Sequence, residues 1–126
     1  MESGIGGVFF KAKDPQAIKD WYNKNLGIVS DDHGCLFEFY NPVNKTHKNY
    51  MQWSPFSDET TYFAPSTKEF MINYRVKNIE QLVEALKESG VTVVDSIETF
   101  GEYGKFVHVM GPENQKIELW EQPESL

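Results

Sequence analysis

Apolar and polar residues alternate along the chain in two stretches of the same grammar. The first opens with a short β-rich run, Ile5 to Ala12 (IGGVFFKA). Asp14 followed by Pro15 then predicts a helix start: the carboxylate caps free N–H groups, and proline is tolerated at the first helical position. Ile18, Trp21, Tyr22 and Leu26 recur at helical spacing and form an apolar stripe, and Gly27 ends the helix. Strands are expected at Ile28–Ser30, Cys35–Tyr40 and Tyr50–Ser54, with turns at Gly34 and over Asn41–Asn49. The second stretch opens with Phe70 to Lys77 (FMINYRVK). Asn78, with Gln81 three residues later, predicts a capping box before a helix striped by Ile79, Leu82, Val83 and Leu86 and ended by Gly90. Strands follow near Val91–Asp95, Lys105–Met110 and Lys116–Glu121, the last two joined by a turn at Gly111, Pro112 and Asn114.

The order is therefore β-α-β-β-β twice. The expected class is α+β: two βαβββ units with curled mixed sheets around one cleft and the helices outside. The first unit spans 5–57, a connector 58–69 and the second unit 70–122, all in one domain over residues 1–126. The connector region is unusually aromatic, with Phe56, Tyr62 and Phe63, which points to packing over the cleft or against a second subunit.

Composition narrows the function classes. A chain of 126 residues, 40% hydrophobic and 25% charged, is globular and long enough for a core without staples. The net charge of −7, with no basic cluster, argues against nucleic acid and anionic membranes as partners. A single cysteine, Cys35, forms no internal disulfide and favours a reducing cytoplasm; it lacks basic neighbours and reads as packing. The first residues do not resemble a signal peptide, and no apolar run approaches the roughly 20 residues that span a bilayer.

Strand parity assigns faces. In the last strand Ile117 and Leu119 turn to the helix, leaving Lys116, Glu118 and Trp120 toward the cleft. In the strand before it, Val107 and Val109 turn to the helix, leaving Phe106, His108 and Met110 inward. If Met110 pairs with Lys116, His108 lies opposite Glu118, within side-chain hydrogen-bonding reach. The same rule sends Met71, Asn73 and Arg75, then Gly7, Phe9 and Lys11, then Tyr50, Gln52 and Ser54, to the cleft.

The strand–helix start VFFKAKDPQAIKDWYNKNLGI and the closing GPENQKIELWEQP, Gly111 to Pro123, resemble the vicinal oxygen chelate superfamily of glyoxalase I, bleomycin-resistance proteins and extradiol dioxygenases. The resemblance runs from about Gly6 to Glu121. It implies a homodimer and a cleft acting on or binding a small molecule. Metal-dependent members hold a divalent ion with four inward residues, one from each of four strands. The matching positions here are Gly7, Gln52, Met71 and Glu118. Glycine has no ligand atom and a thioether suits soft cations, so Gln52 and Glu118 remain as metal ligands, with His108 as a substitute. A bound Zn, Ni, Mn or Fe is disfavoured on these residues, and no other cofactor is expected.

Two functions stay open. One is a glyoxalase-family lyase or dioxygenase with Glu118 as ligand or base, Gln52 as a second ligand and His108 as proton shuttle. The other is a metal-free protein that sequesters a small aromatic or cationic compound. The candidate catalytic residues are Glu118 and His108. The candidate ligand-binding residues are Gln52, Arg75, Asn73, Phe9, Phe106, Trp120 and Tyr50. Each also has a structural reading: Glu118 as a partner for Arg75 or Lys116, His108 as a cross-strand bond, Arg75 as an ion pair with Glu118 or Glu38, and the aromatics as inter-sheet core or dimer interface. His33 and His47 read as solvated loop residues. The segment Glu98–Lys105 is either a lip over the cavity or a turn.

Overall fold

The computed structural model describes residues 2–40, 43 and 48–123. His47 and most of the expected turn before it lie outside that set. Seven strands form one mixed sheet: β1 (Glu2–Ala12), β2 (Cys35–Tyr40), β3 (Lys48–Ser57), β4 (Phe70–Val76), β5 (Glu98–Thr99), β6 (Lys105–Met110) and β7 (Lys116–Glu121). Two helices accompany them, α1 (Pro15–Leu26) and α2 (Ile79–Glu88), with a short 3-10 turn at Gly101–Tyr103.

The sheet order is β2-β3-β1-β4-β7-β6-β5. Within each half the first strand pairs in parallel with the last, β1 with β3 and β4 with β7, and that last strand pairs antiparallel with the one before it. The halves meet where β1 runs antiparallel to β4. The repeated order in the sequence is thus a repeated pairing scheme. It is an α+β architecture whose sheet is not closed into a barrel.

The second half is built around an apolar core. Val76, Ile79, Val83, Val107, Val109 and Leu119 are buried, with Tyr74, Leu82, Leu86 and Ile117 packed against them. The expected stripe of α2 and the helix-facing residues of β6 and β7 all lie there. The capping box does not form. Asn78 adopts a left-handed φ of 52° and makes no side-chain cap bond. The Ile79 N–H instead donates to Glu121 Oε1 at 2.9 Å, so a distant strand satisfies the helix end.

The first helix differs. Asp14 accepts from the Ala17 N–H at 3.0 Å, and Gly27, at φ 72°, closes the helix with its N–H on Asn23 O. Both ends follow the sequence signals. Its stripe does not bury, however: Trp21 is 55% and Leu26 59% exposed. Tyr22 carries the packing instead, with its ring 4.9 Å from that of Trp53, which in turn meets Phe10 at 5.4 Å.

Two expected strands are absent. Ile28–Ser30 has no strand pairing, and the chain turns through a bridge between Asp31 and Gly34. Val91–Asp95 joins β6 only through the Val93–Val109 bridge and flanking hydrogen bonds. At its end the Asp95 carboxylate bonds His108, as described below.

The connector packs into one part of the cleft. Phe63 is fully buried and packs with Phe9 and Met71, with Phe56 alongside. The Tyr62 ring stacks on Phe56 at 5.7 Å. An aromatic segment that reads as a loop by its polar residues is therefore a structural plug between the two half-sheets.

Candidate functional site

Strand register lines up one row of residues across the sheet: Leu36, Gln52, Gly7, Asn73, Glu118 and His108. Asn73, not Met71, shares this row with Gly7, Gln52 and Glu118. Met71 sits one step away, opposite Phe9, and is sealed in the apolar plug. The expected Met110–Lys116 register is observed, and it sets His108 directly opposite Glu118.

Glu118 is 3% exposed and is surrounded by donors. Asn73 Nδ2 donates to Oε1 at 2.7 Å. His108 Nε2 lies 2.8 Å from Oε2, and the Tyr62 hydroxyl donates to the same oxygen. The other imidazole nitrogen, Nδ1, lies 2.7 Å from Asp95 Oδ2, and the His108 backbone N–H donates to Asp95 Oδ1 at 2.8 Å. A ring with a carboxylate at each nitrogen satisfies both only as an imidazolium, where both N–H groups donate. Burial disfavours the charged ring. The hydrogen bonds and charges of Glu118 and Asp95 outweigh it and push the His108 pKa up. Burial, then the charge of Glu118, push the Tyr62 phenol up as well, so it stays a neutral donor.

The sign of the pH effect follows. A histidine whose pKa is raised on folding contributes stability that is fully present below its unfolded value, about 6.5. That contribution is lost as pH rises through the higher folded value. Urea unfolding of the wild type should therefore give a free energy that declines above neutrality. The decline should be absent in His108→Gln, and equal pH slopes in the two proteins would refute the imidazolium assignment.

Beside this network lies an open cavity of about 350 Å³, lined by Thr61, Tyr62, Asp95, Glu98, Phe100, Phe106, His108 and Lys116. The connector supplies one wall. The segment after β5 supplies the other, so Glu98–Lys105 forms a lip as well as a turn. Trp120 Nε1 donates to Tyr103 O at 2.6 Å and ties that lip to β7, while the Trp120 ring stacks on Phe106 at 5.9 Å.

The structure brings together only part of the expected ligand-binding set. Phe106 and His108 line the cavity. Phe9 belongs to the plug, and Trp120 is 8% exposed behind Phe106. Arg75 donates to the carbonyls of Ile5 (2.8 Å) and Tyr50 (2.7 Å), which makes it a brace between half-sheets and uses the Tyr50 backbone. Gln52 Nε2 donates to the His33 carbonyl at 2.7 Å, away from the cavity. Asn73 serves Glu118. Thr61, Tyr62, Asp95, Glu98 and Phe100 are not among the candidate site residues of the sequence, yet they line the cavity. The aromatic bias around Tyr62 and the lip reading of Glu98–Lys105 were signals for four of them; Asp95 had none. Cys35 is half-buried, and burial, then Asp31, push its thiol pKa up, which suits packing rather than nucleophilic attack.

The residues of the row do not fit a divalent ion. A catalytic metal needs about three protein ligands and an open position. Gly7 offers none, and a Cβ there would lie 2.8 Å from Phe9 Cζ and 3.2 Å from Asn73 Cβ. Asn73 presents its amide N–H to Glu118 and keeps one buried amide oxygen without a partner, Gln52 is tied to the His33 carbonyl, and both Glu118 oxygens already accept hydrogen bonds. Among the described residues, no group of three or more His, Cys, Asp and Glu side chains is arranged to hold a metal.

This arrangement, a parallel pair closing each half and two halves joined antiparallel, is the vicinal oxygen chelate fold. Solved structures agree over nearly the whole chain. Methylmalonyl-CoA epimerase from Streptomyces coelicolor, a variant in complex with 2-nitronate-propionyl-CoA, is similar with a TM-score of 0.67 at 11% identity, covering 97% of this chain and 99% of that one. The epimerase from Mycobacterium tuberculosis is similar at 0.62 and 18% identity, covering 98% and 91%. A glyoxalase/bleomycin resistance protein/dioxygenase superfamily member from Vibrio splendidus 12B01 is similar at 0.59 and 11%, covering 94% and 97%. No family model matches the sequence, and no curated protein matches it. At these identities the likeness defines the fold and leaves the activity to the site. No described helix is long and apolar enough to cross a membrane.

Proposed function

We propose that the protein binds and sequesters a small organic molecule in the cavity beside His108 without using a metal, rather than acting as a metal-dependent lyase or dioxygenase. The observation that carries this reading is the engagement of Glu118 by three donors. Tyr62, Asn73 and His108 all bond this one buried carboxylate, so an ion or a substrate proton would compete with three formed hydrogen bonds. What faces the cavity is a mixture of aromatic walls and a few oriented polar groups, the usual composition of a ligand site. A fold neighbour binds 2-nitronate-propionyl-CoA, so this scaffold accommodates small organic ligands in at least one protein.

The test is a nitrogen-15 NMR screen of the intact chain against small aromatic probes. Binding should move the amide signals of Thr61, Phe100, Phe106 and His108 and leave those of α1 in place. A hit that moves only residues of the first half would place the ligand site elsewhere and contradict the reading.

We also propose a homodimer. The edge strand β2 leaves Leu36 and Tyr40 on one face and Phe39 on the other, between 49% and 66% exposed beside an unpaired strand edge. Sedimentation equilibrium should show twice the chain mass. A reducing cytoplasm is the compartment we propose, supported by the single free cysteine.

A further inference from the structure

We infer that the cavity takes a ligand bearing one organic carboxylate, seated on Lys116 with its apolar body against the Phe100–Phe106 pair, whose rings meet edge to face at 5.6 Å. This rests on the binding role proposed above and deepens it. Lys116 is 7% exposed and lines the cavity. Its ammonium donates to the Tyr62 carbonyl at 2.7 Å and stands 5.3 Å from the Tyr62 ring centroid. An ammonium has three N–H donors, and one carbonyl uses one of them. A buried charge is costly unless it is paired. Among the described residues, no carboxylate lies within 4.0 Å of Lys116 Nζ.

The other charges of the site explain why the partner is an anion. Glu118 lies two residues along the same strand and face, but three donors already occupy its oxygens. The imidazolium of His108 spends both N–H groups on Asp95 and Glu118. Neither carboxylate of this cluster forms an ion pair with Lys116. Because Lys116 lines the cavity, its remaining donors are within reach of a ligand there. The carboxylates that face it, Asp95 and Glu98, belong to exposed residues at the rim. Water screens them more than it screens the buried ammonium. A cationic floor under an acidic rim accepts a single carboxylate and repels a second negative group higher up. The ligand is thus an apolar monoanion, not the cation that the overall charge of −7 suggests.

Three probes of one shape test this on the intact chain at pH 7: phenylacetate, 2-phenylethanol and 2-phenylethylammonium, titrated by nitrogen-15 NMR. Phenylacetate should bind about tenfold or more tighter than the alcohol, the size of one charge-assisted hydrogen bond, and the ammonium weakest. Lys116→Gln, which retains an N–H for the Tyr62 carbonyl, should erase the preference for phenylacetate, and Lys116→Arg should keep it. If Lys116→Gln does not fold, the order of the three probes on the wild type decides. Tighter binding of the ammonium, or an unchanged order in Lys116→Gln, would overturn the anion assignment while leaving the binding role intact. If none of the three moves a cavity signal, both fall.

Discussion

Glu118→Ala should lower the unfolding free energy by about 3–5 kcal/mol, the range for removing one partner from a buried ionic group. The substitution leaves the His108 ring with a charge and one empty donor, and strands the Tyr62 hydroxyl and the Asn73 amide in a buried setting. Each unsatisfied group then carries its own desolvation cost. A domain is stable by only about 5–15 kcal/mol, so this single change should consume a large share of the total. The cost comes from the orphaned partners. The double variant Glu118→Leu with His108→Phe, which removes both charges, should therefore be less destabilised than the sum of its two single variants. Urea unfolding of the four proteins measures this. Additive losses would mean that the network is a set of independent surface-like contacts.

Phe63→Ala should cost about 3–5 kcal/mol as well, for a different physical reason. The ring is fully buried against Phe9 and Met71, and its loss leaves a cavity between two half-sheets that Arg75 braces. Rigid strands on both sides limit collapse into the void. Tyr62→Phe, one residue away, keeps the stacking on Phe56 and removes only the hydroxyl donor to Glu118. It should cost about 1–3 kcal/mol. Denaturant midpoints compared across the two variants check the ranking. A Phe63→Ala protein as stable as the wild type would show that the connector rests on the sheet without wedging it.

The sequence was most informative where local rules suffice. The Asp14–Pro15 start and Gly27 stop of α1 depend on neighbours in the chain, and both form as read. The β6–β7 hairpin has two apolar stripes and a compact turn, so parity and register could be assigned, and the His108–Glu118 pair with them. Long-range partners were not legible. Nothing local says that Glu121 caps α2, that Asp95 bonds His108, or that Tyr62 reaches Glu118 across 56 residues. The family match points to Met71, whereas the register sets Asn73 beside Gly7 and Glu118. The two residues are two apart and share a face of β4, so alternation alone does not choose between them. The α1 stripe misled in the opposite direction: Trp21 and Leu26 have the right spacing, but only Tyr22 meets a partner ring on the sheet.

If the Glu118 row is a closed hydrogen-bonded network and not a chelate, the protein should carry no metal. The most direct measurement is elemental mass spectrometry on untagged protein purified without chelator, paired with thermal unfolding in the presence of added Zn, Ni, Mn and Fe(II). No stoichiometric divalent metal is expected, and no rise in Tm with any of the four ions. One bound metal per chain, or a clear stabilisation that Glu118→Gln abolishes, would contradict it and return the chain to metal-dependent chemistry.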